Sequence, residues 1–180
     1  MSTWTHLTTT TVSGTSTASI AFAGISQSYK DLSLWGMLKD SGTGTAGQSG
    51  LQVYFKDSGG NSMDMAGGLI ARAYNSTISS SQYASRTDIP SYMPNNTTGY
   101  TGVGPQYAYI YDYSSTTVAK NVMWLNGITG NDAQNANNTF QAWRMCVNDS
   151  GNDPISEITI TSQSNYFVPG ATMSLYGITA

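Results

Sequence analysis

The sequence predicts an all-β protein, an antiparallel two-sheet β-sandwich of jelly-roll type in a single domain. Three observations lead there. Apolar and polar residues alternate over several short runs, as on half-buried strands. The runs are separated by turns rich in the chain's 19 glycines. No stretch combines a 3.6-residue period with helix start and stop signals. At 180 residues the chain is long enough to bury a real core as one domain.

The first 14 residues are threonine-rich and extended by propensity. They read either as an edge strand or as an arm reaching a neighbouring subunit, with Trp4, His6 and Leu7 as its contacts. The sandwich then occupies 15–180. Ala18 to Phe22 is its first strand, with Ile20 and Phe22 on one face. Leu32 to Leu38 is nearly continuous apolar and reads as a central strand covered on both faces. A Gly/Ser/Thr loop from Asp40 to Gly50 leads to Leu51–Lys56, where Leu51, Val53 and Phe55 alternate with Gln52, Tyr54 and Lys56. Asp57 to Asn61 is a turn, and Leu69 to Tyr74 a strand.

The segment 75–104 has no sustained period and reads as one long loop. Such loops in compact domains are functional or disordered more often than not, and this one carries Tyr83, Tyr92 and Tyr100, stiffened by Pro90 and Pro94. It is either a contact surface, with Arg86 and Asp88 as a polar rim, or a lid over one end of the sandwich. Tyr107, Tyr109, Tyr111 and Tyr113 then share one strand face, as core packing or as a contact surface. Val122 to Leu125 runs into Asn126-Gly127, a tight-hairpin signal. A polar loop over Asn131–Asn138, a strand over Phe140–Val147 and a turn over Asn148–Pro154 follow. Ile158 and Ile160 alternate with threonines, and Met173 and Leu175 alternate with Ser174 and Tyr176. Around a Pro169-Gly170 turn these two runs read as a terminal antiparallel pair.

Charge and composition exclude several functions. Charged residues make up 9% of the chain, against about 25% in an average soluble protein. So neutral a surface puts little repulsion between copies and suits a protein packed beside others. Seven basic residues, scattered, and a net charge of −3 argue against nucleic-acid binding. No run approaches membrane-spanning length, and the first residues lack the basic and apolar regions of a secretory leader, so folding in the cytosol that makes the chain is expected. The lone Cys146, between Met145 and Val147, reads as a buried thiol. The only histidine, His6, lies in the threonine-rich arm, a poor place to hold a nucleophile–base geometry, and the several Cys or His ligands that zinc needs are absent. Asp64, Asp88 and Asp112 show no spacing that pairs them for acid–base work. The Asn148–Asp153 turn has oxygen ligands but not the EF-hand spacing. No catalytic residue, metal or cofactor is expected.

Phe167-Val168-Pro169-Gly170 followed by Met173 to Ile178 resembles the closing segment of small virion proteins of tailed, often marine, bacteriophages. Ser19 to Leu32 and Tyr109 to Ser115 are similar to the same group, in the same order. The resemblance implies a β-sandwich decoration or cement protein of the capsid, contacting the major capsid protein as a homo-oligomer, with a trimer favoured, and it brings no catalytic residues. The competing expectation is a receptor- or glycan-binding module of a tail or head fibre on the same kind of sandwich.

Overall fold

A computed structural model describes residues 1–43, 48–74, 77–96, 102–128, 139–147, 152–163 and 165–179. Among them are twelve strands and no helix: β1 (Trp4–Thr11), β2 (Ser19–Ala23), β3 (Asp31–Leu38), β4 (Gln48–Lys56), β5 (Met65–Tyr74), β6 (Thr77–Arg86), β7 (Ile89–Pro94), β8 (Gly104–Tyr111), β9 (Lys120–Ile128), β10 (Thr139–Val147), β11 (Glu157–Ser162) and β12 (Thr172–Ile178). They form an eight-stranded sheet, β1-β12-β3-β8-β9-β10-β5-β6, and a four-stranded sheet, β2-β11-β4-β7. Every pairing is antiparallel.

The jelly roll lies inside this order. If β5–β6 and β9–β10 are set aside, successive strands alternate between the sheets except for β4 and β7, which pair in the small sheet, leaving β1-β12-β3-β8 facing β2-β11-β4-β7. The two set-aside pairs are insertions that extend only the larger sheet, and β7 packs against their β9 and β10.

The core follows from the alternation. β11 buries Ile158 and Ile160, β4 buries Leu51, Val53 and Phe55, and β12 buries Met173 and Leu175. From the insertion, Trp124 is fully buried and its indole N–H donates to Gln106 Oε1 at 3.2 Å. Gly36 pairs with Met173, whose side chain takes the space a Cβ would need, 2.0 Å from Sδ.

Turn chemistry matches the sequence in two places. Val168–Ala171 is a β-turn closed by Ala171 N–H to Val168 O (3.1 Å), and Gly170 has the positive φ (89°) that its third position requires. Asp57–Asn61 closes when the Asp57 carboxylate accepts from Asn61 N (2.8 Å) and Asn61 Nδ2 (2.9 Å). Asp40, fully buried, ties the strand-end region after β3 to the β11–β12 connection. It accepts from Gly42 N (2.7 Å), Ser49 Oγ (2.9 Å), Asn165 Nδ2 (3.1 Å) and Ser162 Oγ.

Four sequence expectations need correction. Residues 75–104 are not one loop, because β6 and β7 lie within them. Most of β6 is exposed as the end of the large sheet, and β7 carries Pro90 and Pro94 as an edge strand, so neither shows a clean period. β11 and β12 do not pair, since the Pro169-Gly170 turn belongs to a connection crossing from one sheet to the other. Asn126-Gly127 is no hairpin turn but lies inside β9, where Asn126 is buried and donates to Tyr92 O at 2.7 Å. β3 is central but covered on one face only, with Trp35 and Met37 pointing outward. Residues 1–14 contain an edge strand, β1, docked on the chain's own β12. Tyr100 and the polar loop 131–138 lie outside the described residues.

Candidate functional site: the outer face of the large sheet

The two sheets present opposite kinds of surface to solvent. On the small sheet the outward positions are ordinary: Ser19, Ala21 and Ala23 on β2, Gln52, Tyr54 and Lys56 on β4, Glu157, Thr159 and Thr161 on β11. On the large sheet several outward positions of neighbouring strands are aromatic or apolar. β1 supplies Trp4 and His6, β12 Tyr176, β3 Trp35 and Met37, and β8 Tyr107, Tyr109 and Tyr111.

Strand register brings these side chains together. Trp35 and Tyr107 are cross-strand partners with ring centroids 4.6 Å apart. Tyr109 and Tyr111, two apart on β8, lie at 4.4 Å. Trp4 sits 6.4 Å from Tyr109 and 6.3 Å from Tyr176, and the His6 ring meets Tyr176 at 5.4 Å. Aromatic pairs in such edge and tilted geometries hold one another in place. The patch is nonetheless open: Trp4 is 47% exposed, Trp35 50% and Tyr111 43%.

The expected tyrosine stripe is therefore real for Tyr107, Tyr109 and Tyr111 but not for Tyr113. Asp112, in a left-handed conformation (φ 52°), turns the chain, and Tyr113 is fully buried with its hydroxyl donating to Ser26 O. Of the arm residues, Trp4 and His6 belong to the outer face, whereas Leu7 packs against the core at a bulge between His6 and Thr8. His6 Nε2 lies 2.8 Å from Thr9 Oγ1.

Tyr109 is the most constrained member. Its hydroxyl donates to Asp31 Oδ2 at 3.0 Å, and Asp31 Oδ1 accepts the Asp112 backbone N–H at 2.8 Å. Burial first, then the bond to the Asp31 carboxylate, pushes the phenol up from 10.0 to about 12. The unfolded chain then loses this proton before the folded one does, so the contribution to stability is intact below pH 10 and disappears as pH rises through about 12. Alkaline unfolding monitored by circular dichroism should steepen in that window, and Tyr109→Phe should flatten it. An unchanged slope in Tyr109→Phe would remove Tyr109 as its source.

The residues expected to meet in 75–104 do so only in part. Tyr83, Arg86 and Asp88 form one stack: Tyr83 lies 5.8 Å from the buried Trp143, the Arg86 guanidinium is 4.9 Å from the Tyr83 ring centre, and Arg86 Nη2 and Nε donate to Asp88 Oδ1 at 2.9 and 3.1 Å. Asp88 is buried and also accepts from Gln52 Nε2 at 3.1 Å. This arrangement fastens β6 and β7 to β4 and β10. Tyr92 is half-buried on β7, and its carbonyl accepts from Asn126 Nδ2 and Gln106 Nε2.

A second feature escaped sequence reasoning. Where the insertions extend the large sheet, a trough crosses the strands in two adjoining hollows of about 440 and 720 Å³. Ile70, Asn121 and Arg144 line both. Cys146 is half-buried on the trough wall rather than inside the core, because it falls on the outward register of β10. No three His, Cys, Asp or Glu side chains among the described residues cluster to hold a metal ion.

Fold and surface define a jelly-roll β-sandwich whose large sheet carries an aromatic patch on its outer face. Compared with known proteins, the chain matches no family model, no curated sequence and no solved structure.

Proposed function

We propose that the chain is a non-enzymatic structural protein of a tailed-phage particle, a capsid decoration or cement protein that packs as a homo-oligomer, trimer first, against the major capsid protein. The observation carrying this reading is the outer aromatic face of the large sheet. Beside Tyr109 lies Asp31, whose carboxylate is occupied by the Tyr109 hydroxyl and the Asp112 backbone, and Lys30 and Asp112 lie 4.0 Å from each other. Exposed surface rich in Trp, Tyr and Met is the composition of interface cores. The segments similar to phage virion proteins run through β2–β3, β8 and β12, three of which form or border this face. The particle is then the protein's working location, with synthesis in the host bacterial cytoplasm. A trough around Arg144 favours the other reading, a receptor- or glycan-binding module of a fibre.

Charge placed in the face tests the proposal. The parent protein should scatter light as an oligomer at high concentration and coat empty shells of its own phage. Trp35→Lys combined with Tyr107→Lys should scatter as a monomer and leave the shells bare. Both side chains lie on the outer face, Trp35 exposed and Tyr107 half-buried, so the variant should still melt cooperatively, at a temperature lowered by the lost ring pair and the two facing lysines. A parent that is monomeric and ignores shells, or a variant that coats them as well as the parent, would sink the proposal.

A further inference from the structure

We propose that the trough around Arg144 binds an acidic saccharide, with the guanidinium taking the carboxylate of one sugar unit. This goes beyond the reading of the protein as a shell component; the trough adjoins the aromatic face and shares Tyr111 with it.

The trough exists because of a local sequence device. β5 begins Met65-Ala66-Gly67-Gly68, so where neighbouring strands carry long outward side chains this one carries almost none. The strands close in where the side chains are missing: a Cβ on Gly68 would lie 2.1 Å from Ser81 O, and one on Gly67 (φ 150°) 2.3 Å from Arg144 O. The floor is therefore backbone and cannot be filled by substitution at either glycine without moving a strand. Ile70, bulged out of the β5–β10 ladder, stands as a wall and is 57% exposed.

Arg144 projects from β10 between the two hollows and forms no ion pair among the described residues. The nearby carboxylate that borders the trough, Asp112, is 4.0 Å from Lys30. A planar guanidinium with five donors matches one carboxylate in a bidentate fork. A single cation is too few for nucleic acid, whose binding needs a clustered array. Around Arg144 the trough offers what a sugar uses: the exposed ring of Tyr111 and the side chain of Ile70 for C–H faces, and Asn121, Ser81 and Gln82 for hydroxyls. Each hollow falls within the roughly 300–1,000 Å³ typical of small-ligand sites. Their alignment across the strands suits an extended chain of sugars rather than one compact molecule.

Calorimetric titration of the full chain with trigalacturonate, with a trimer of α2,8-linked sialic acid and with neutral maltotriose tests the assignment. At least one acidic trisaccharide should bind at submillimolar concentration, and maltotriose about tenfold more weakly or worse, the worth of a charge-assisted pair. Arg144→Gln should cost about tenfold in affinity for the acid on the same grounds. Ala66→Trp, which fills the trough from an exposed position and leaves the charge alone, should abolish binding. Both variants should melt like the parent, and Trp35→Lys with Tyr107→Lys should bind the acid unchanged, which separates this site from the docking face. Failure of both acids at millimolar concentration, equal binding of maltotriose, or full affinity in Arg144→Gln would each overturn the proposal.

Discussion

A chain lacking residues 172–180 is expected to show no cooperative unfolding transition at all. β12 is not a peripheral strand: it lies between β1 and β3, and its removal takes away both ladders at once. β1 would lose its only partner among the described strands, and the hydrophobic layer would lose Met173, Leu175 and Ile178, each buried. The deletion also opens the free edge of β3, whose N–H and C=O groups would face water or another chain. A milder form isolates the packing contribution. Leu175 is 2% exposed, so Leu175→Ala should cost about 2–5 kcal/mol, as large-to-small core changes do. Thermal melts by circular dichroism and differential scanning calorimetry report both. A truncated chain that melts cooperatively near the parent's temperature would show that β12 is dispensable.

Asp40→Ala should be the most damaging single polar substitution. The carboxylate is fully buried and takes four donors, from Gly42, Ser49, Ser162 and Asn165. Removing it leaves these donors without their acceptor, at about 1–3 kcal/mol for each one kept from water. The costs overlap, because the loop can relax once freed, and a loss of about 3–5 kcal/mol is expected, as when a buried charge network is broken. Asp40→Asn keeps one acceptor oxygen and should lose less. Against a total stability of about 5–15 kcal/mol, the alanine variant would sit close to unfolding at room temperature. Urea titration measures the difference. If both variants stayed within about 1 kcal/mol of the parent, the cluster would be only a surface loop contact.

What the sequence disclosed of the fold depended on how each strand is covered. β4, β11 and β12 each bury one face, so their alternation was plain in Leu51-Val53-Phe55, Ile158-Ile160 and Met173-Leu175. β6 and β7 stayed hidden because a strand at a sheet's end need not alternate, and because prolines tolerated at an edge read as loop. Partner choice was not legible either: the periodicity of β11 and β12 is the same whether they pair or lie in opposite sheets. Asn126 misled because its turn propensity gave way to a buried hydrogen bond with Tyr92 O.

The candidate surface was half legible. Alternate tyrosines marked β8, but Trp35 and Met37 looked like core until register placed them outside. The trough was invisible, because it depends on β5 lying beside β10, a pairing absent from local pattern.

The pairing of the first strand with the last has a consequence for synthesis. Thr11 meets Thr172, 161 residues later. At about 5–20 residues per second, β1 waits outside the ribosome for about 8–32 s before its partner strand is made. A valine- or isoleucine-rich strand left unpaired that long would invite association with other nascent chains. Threonine keeps the strand preference while offering a hydroxyl to water, and Thr8 to Thr11 is an unbroken run of it. Chains stalled before Thr172 should therefore leave the β1 amides open to hydrogen exchange yet remain soluble, and completing the last strand should protect them together.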